Sequence, residues 1–236
     1  MLRHIALLLA MLATPTASAL DMTPTTVLLE KGQARAELWL HNPGPRTWQG
    51  RVRIFAWEQQ PGAEQLQESS QILASPTLLE LPPGVRQRVW LLPAPAATSA
   101  QPHDGELAFR ILLEPMADDL PRYSLPLFSD AEAGTRPCLR THVQTDGVAY
   151  SLHLDNKGSL HARLSDLVFE AADGRREILL PGLAGYILAG RQRHWSLPAR
   201  ADAYAGGRFL AQMQDGQEHE LPAVDGQIAP ASIDTL

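Results

Sequence analysis

The sequence predicts an all-β protein made of two immunoglobulin-like β-sandwich domains. Short runs alternate apolar and polar residues at period two, and helical periodicity is almost absent. Punctuation is dense, with 17 Gly and 19 Pro dividing the chain into runs of strand length. Alternation at period two gives a segment one apolar face, and many short strands separated by turn signals suit a sandwich.

The chain opens on a leader. Arg3 supplies a positive start, Ile5 to Leu12 is apolar, and Ala17-Ser18-Ala19 ends in the small-x-small pattern that a signal peptidase accepts. That apolar run is too short to cross a bilayer core of ~30 Å, and no later segment approaches the ~18 apolar residues of a membrane helix. Residues 1–19 are therefore expected to be removed and the remainder exported, with no membrane insertion. The formal net charge of -6 and the lack of any Lys/Arg-rich run argue against nucleic acid. Cys138 is the only cysteine, so an internal disulfide is impossible, and a buried, inert thiol is expected.

The first domain is expected over residues 20–130. Thr23 to Glu30 reads as its first strand. Ala34 to His41 alternates Ala34, Ala36, Leu38 and Leu40 with polar or aromatic neighbours, and Asn42-Pro43-Gly44-Pro45 turns the chain. Arg51 to Trp57 alternates again. Glu58 to Ser70, polar and carrying Pro61-Gly62, reads as a loop. Pro76 divides Ile72 to Leu81 into two short edge strands, and Pro82-Pro83-Gly84 leads into Arg86 to Leu92. Pro93 to Asp104 is a Pro/Ala-rich loop, and Glu106 to Leu113 is the penultimate strand.

Arg122 to Phe128 closes this domain. Tyr123, Leu125 and Leu127 share one face, while Ser124, Pro126 and Phe128 share the other. Pro126 cannot donate to a ladder, so the strand is expected at an edge or bulged. An apolar edge invites pairing with another chain. After a linker over Ser129 to Pro137, a second domain is expected over residues 138–225. Asp146-Gly147 between Leu139–Thr145 and Val148–Leu154 is a strong hairpin signal. Leu160 to Phe169, Tyr186 to Leu188 and Arg208 to Leu210 follow as strands, and a tail over 226–236 is expected to fray.

No catalytic pattern emerges, neither a Gly-x-Ser-x-Gly elbow nor a phosphate loop. His153 and His161 flank a turn but lack a third ligand nearby, and Asp118-Asp119 reads as a solvated loop tip. Cys138 and His142 form no fixed dyad in a strand. The chain reads as a binder without metal or cofactor.

Several segments, in order and spacing, resemble the periplasmic pilus-assembly chaperones of the bacterial chaperone–usher pathway, in particular their archaic branch. They include Thr23-Pro24 with Val27, Val52 to Glu58, Leu81 to Gln87, Phe109 to Glu114 and Arg122 to Phe128. In the second domain, Leu154 to Gly158, His161 and Gly185 to Trp195 match. The resemblance implies a boomerang of two sandwiches, periplasmic location, no cofactor, and pilus subunits and an outer-membrane usher as partners. It implies that an edge strand is lent to an incomplete subunit sandwich, with Tyr123, Leu125 and Leu127 as the subunit-binding residues.

Two departures accompany the match. The family's basic pair, which anchors the subunit's terminal carboxylate, falls on Thr26 and Ser124, leaving Arg122 or Arg110 as substitutes. The donor region is also short, since only Pro115 to Pro121 separates the last two strands. These departures keep two alternatives in view. One is a non-capping accessory protein on the same scaffold. The other is a generic exported binding module, for which Trp39, Trp48 and Trp57 would supply an aromatic platform.

Overall fold

The computed structural model describes residues 19–60, 63–95, 105–131, 135–223 and 229–230. Most of the expected leader, of the Pro93–Asp104 loop and of the tail lies outside these residues. The described residues contain no α-helix, and strands β1 to β18 form four sheets. Two sheets come from the first half of the chain and two from the second, so each half packs its own core.

The predicted first strand is two strands. β1 (Asp21–Thr23) pairs with β3 (Ala36–His41), whereas β2 (Val27–Leu29) pairs in parallel with β10 (Tyr123–Ser129) in the opposite sheet. The chain changes sheets at Pro24, which has no N–H to give a ladder. β3 follows its alternation, with Ala36, Leu38 and Leu40 buried and Glu37, Trp39 and His41 turned outward. Asn42 holds the following turn. Its Nδ2 donates to the carbonyls of Arg46 and Leu81, each at 2.7 Å, and its Oδ1 accepts from the Gly44 N–H at 3.0 Å.

β4 (Trp48–Gln60) is longer than expected, and the predicted Glu58–Ser70 loop is a hairpin arm. β5 (Ala63–Glu68) pairs with β4 from Gln60↔Ala63 to Phe55↔Glu68. Every β5 side chain is exposed, which explains its polar composition. Polarity marked exposure here, not the absence of a ladder. β6 (Ile72–Ser75) and β7 (Leu78–Leu81) separate at Pro76 as expected and join opposite sheets. β8 (Arg86–Pro93) pairs with β3, and β9 (Leu107–Pro115) pairs with both β4 and β10. The sheets are thus β1-β3-β8-β6 and β2-β10-β9-β4-β5, with β7 added to β4. Leu38, Leu40, Val89, Phe109, Ile111 and Leu127 fill the space between them.

In the second half, β11 (Leu139–Thr145) and β12 (Tyr150–Asn156) form the predicted hairpin. Asp146 Oδ1 accepts from the N–H groups of Val148 at 2.8 Å and Ala149 at 2.7 Å, which lowers its pKa. β13 (Ala162–Glu170) pairs through several bulges with β14 (Arg176–Ile187), which takes in much of the predicted Tyr186–Leu188 strand. β15 (Gln192–Leu197), β16 (Arg208–Gln212) and β17 (Glu218–Glu220) complete the sheets. The expected fraying is contradicted at one point, where β18 (Ala229–Pro230) pairs in parallel with Gln144 and Thr145 of β11.

Candidate edge strand and interdomain cleft

β10 is paired along its whole length on one side and along only part of the other. Each residue from Tyr123 to Ser129 faces β9, from Tyr123↔Leu113 to Ser129↔Leu107. β2 covers Leu127, Phe128 and Ser129 alone. Among the described residues, no strand pairs with the outer side of Tyr123–Pro126. Pro126 lies where the strand changes from one neighbour to two, which suits a residue without an N–H.

The faces of β10 are reversed from the expectation. Leu125 and Leu127, at 4% and 0% exposure, belong to the protein's own core, and Tyr123 packs partly buried against it. The Tyr123 hydroxyl accepts a 2.9 Å hydrogen bond from the Leu20 N–H. These side chains therefore do not stand ready to enter a partner. Their register opposite Leu113, Ile111 and Phe109 explains why, since those three are the buried positions of β9. The alternation Phe109-Ile111-Leu113 was in the sequence, but the register that carries it across the strand pair was not. Ser124 is exposed, while Pro126 and Phe128 are buried on the other side of the sheet.

That other side meets the second domain. Trp57 of β4 and Phe128 of β10 cluster with Tyr186 of β14 and Leu188. Ring centroids lie 6.1 Å apart for Trp57–Phe128 and 5.8 Å for Trp57–Tyr186. His161 stacks on Phe128 at 3.6 Å with 6° between planes. Its Nδ1 lies 2.7 Å from Glu106 Oε2, which also accepts from the His161 N–H at 2.9 Å. The buried Gln59 side chain reaches across. Its Nε2 donates to the Tyr186 carbonyl at 2.9 Å, and its Oε1 accepts from the Leu188 N–H at 2.9 Å. Arg191 grips Glu58 Oε2 through two nitrogens, at 3.0 and 2.8 Å. The unanticipated β4–β5 hairpin is thus a main attachment of the second domain.

Arg110, turned outward from β9, lies in this cleft. Its guanidinium sits 3.7 Å above the Trp57 ring centroid and 4.0 Å from Glu64 Oε2. Burial lowers its pKa; Glu64 and Tyr186 oppose that shift and nearby Arg193 adds to it. Arginine stays cationic through such a change. Arg193 is tied to Glu64 at 2.9 Å. Arg122 is exposed just before β10. Thr26 lies 3.2 Å from the Tyr186 hydroxyl. Of the two substitutes for the family's basic pair, Arg110 is the one in the cleft.

The remaining candidates do not converge. His153 stacks with His142 and His194, away from His161. Asp119 pairs with Arg46 at 3.0 Å. Among the described residues no group of three or more potential metal ligands is assembled. Cys138 is exposed, contrary to expectation. The aromatic platform also fails, because Trp48 and Trp57 are 3% and 1% exposed.

Residues 19–118 match the profile of the pili and flagellar-assembly chaperones, PapD N-terminal domain. No curated protein matches in sequence. Among solved structures, one similar chain comes from the CsuC–CsuE chaperone–tip adhesion subunit pre-assembly complex of archaic Csu pili of Acinetobacter baumannii. It is 19% identical with a TM-score of 0.69, over 88% of this chain and 100% of that one. The E. coli chaperone DraB is similar over 87% of this chain and 97% of its own, at 16% identity and TM-score 0.60. A chain of the Salmonella enterica SafA pilin–SafB chaperone complex is similar over 88% and 97%, at 15% identity and TM-score 0.59. At these identities the likeness is one of fold.

Proposed function

We propose, from a first domain that matches the profile of the pili and flagellar-assembly chaperones, that the protein is a periplasmic chaperone for pilus subunits. The single observation that carries the mode of action is the half-open β10, whose Tyr123–Pro126 stretch is paired on one side only among the described residues. A subunit sandwich lacking a strand pairs its own edge with the other side, which is β-augmentation. Backbone groups at the edge satisfy those of the subunit. The side chains offered with them are Ser124 and the half-buried Phe55 and Leu112 of the same outer face, not Leu125 and Leu127. Arg110 is placed to receive the subunit's terminal carboxylate, a charge-assisted contact strengthened by partial burial. Delivery to an outer-membrane usher completes the proposed cycle.

The test is co-expression of the chain with a candidate pilin-like subunit, with subunit survival read by protease resistance. The expected result is a stoichiometric complex that protects the subunit and is lost with Ser124→Glu or Arg110→Ala. Equal degradation with and without this protein would overturn the reading.

A further inference from the structure

The outer face of the sheet β1-β3-β8-β6 lies on the other side of the first sandwich from β10 and is built unlike the rest of the surface. Trp39 of β3 and Trp90 of β8 stand half-buried in adjacent rows, with arginines laid over their rings. Arg35 and Arg88 lie 4.2 and 3.9 Å from the Trp90 centroid. Arg86 and Arg88 lie 4.6 and 5.1 Å from that of Trp39. Cation–π contacts of this kind occur roughly once per 70–80 residues, so four on one small face is a concentration.

The charges do not cancel. Glu37 is engaged by Arg88 at 3.6 Å and by the Trp39 indole N–H at 3.1 Å, and Asp21 lies 3.0 Å from His41. No carboxylate among the described residues pairs with Arg35 or Arg86. Both are exposed, in a chain whose net charge is -6. Elsewhere some exposed arginines are matched, as Arg208 is by Glu170 and Glu220, and others such as Arg140 are not, but none of those is laid over a tryptophan. Seating over the indole rings restricts each guanidinium while Arg35 and Arg86 stay exposed. A fork pre-organised in this way loses less freedom on meeting a carboxylate.

We infer that this tryptophan–arginine face is a docking surface for an acidic polypeptide segment of a partner protein, separate from the edge strand that holds a subunit. Charge complementarity selects an anion, and geometry selects an extended one. The ladder runs from Ala36↔Leu91 to His41↔Arg86, roughly 17 Å at ~3.4 Å per residue, with Arg35 beyond one end and Arg86 at the other. Arg35, Arg88 and Arg86 are thus strung along two adjacent strands, a row that matches carboxylates spaced along an extended chain. Exposed Leu73 on β6 offers an apolar contact between them and the sheet edge. The covered indole faces are not free to stack on sugars or to enter a lipid interface.

The test uses the mature full-length chain and a synthetic oligo-glutamate peptide, with binding read by calorimetry at low salt. The expected result is measurable binding that falls at least about tenfold in Arg35→Gln/Arg86→Gln. It is retained in a charge-matched control, Arg140→Gln/Arg175→Gln. Trp90→Leu, which keeps every charge but removes the stacking platform, is expected to weaken binding several-fold, with folding checked by circular dichroism. Equal loss in the control pair, or no loss in either double variant, overturns the inference. So does binding to heparin or to phosphatidylglycerol vesicles without binding to oligo-glutamate, which would identify a glycan or lipid ligand instead.

Discussion

Replacing Leu127 by alanine separates the two possible roles of β10. Leu127 is fully buried and lies between Phe109 on β9 and Val27 on β2. Leu→Ala changes at buried sites cost about 2–5 kcal/mol, the upper half where surrounding strands cannot collapse into the void. With ladder neighbours on both sides and a second sheet above, Leu127 should cost about 3–5 kcal/mol. A domain stability of about 5–15 kcal/mol would fall by a large fraction. At about 4–8 °C per kcal/mol for a domain of this size, the midpoint should drop by at least about 12 °C. Urea unfolding, followed through the buried Trp48 and Trp57, measures the free-energy loss, and a thermal melt measures the shift in midpoint. Ser124→Glu, at an exposed position of the same strand, should change stability by no more than about 0.5 kcal/mol while abolishing the subunit complex. A Leu127→Ala protein as stable as its parent but unable to hold a subunit would refute the assignment of faces.

Three further outcomes are expected. Gln59→Ala leaves the Tyr186 carbonyl and the Leu188 N–H without the side chain that bridges them, costing about 2–6 kcal/mol of domain docking at about 1–3 per buried group. Small-angle scattering should then show a broader range of domain orientations, and an unchanged profile would contradict the role given to Gln59. His153 has its pKa lowered from 6.5 to about 4 by burial, then by His142 and His194, with Asp155 opposing. The unfolded chain therefore binds this proton first, so the contribution to stability is complete above pH 6.5 and is lost as pH falls towards 4. His153→Gln should flatten the pH dependence of the urea midpoint within that window; an identical slope in the variant would exclude His153 as its source. A Cβ on Gly50 would lie 2.4 Å from both the Glu114 carbonyl oxygen and the Trp48 ring. Gly50→Ala should thus destabilise the first domain by about 1–3 kcal/mol, and thermal melts that overlay the parent's would disprove the clash.

Alternation made β3, β9 and the hairpin of β11 and β12 legible, because one buried face leaves a period-two record in composition. It could not say which face of β10 was the buried one. Tyr123-Ser124-Leu125-Pro126-Leu127-Phe128 is apolar on both faces, one lining the sandwich and the other the domain junction. The face was decided by register with β9, which the pattern of β10 itself does not contain. β5 was missed because an exposed edge arm carries no apolar record, although Pro61-Gly62 did mark a turn. Thr23–Glu30 looked continuous because changing sheets at Pro24 leaves the apolar content unaltered. Arg110 was legible as a cation on the outward side of β9. Its seat on Trp57 was not, since Trp57 reads equally well as core.

The open stretch of β10 is too short to hold a subunit by its backbone alone. Tyr123–Pro126 includes a proline, so it offers at most about four ladder bonds. At a net 0.5–1.5 kcal/mol each, these supply about 2–6 kcal/mol. Micromolar affinity needs about 8 kcal/mol, before the cost of ordering both partners. In the proposed complex the difference would come from the outer face and the cleft, with Arg110 offering a partly desolvated charge and Phe55 and Leu112 apolar area. Those groups are useful only if the second domain holds still, and the same strand secures that. Phe128, two residues beyond Pro126, is the ring on which His161 stacks and one wall of the Trp57–Tyr186 cluster. The strand that carries the open edge thus also carries a wall of the domain junction. Loosening the junction at Gln59 should weaken subunit binding even though Gln59 lies away from the open edge, and a Gln59→Ala chain that protects subunits as well as its parent would show that backbone pairing alone suffices.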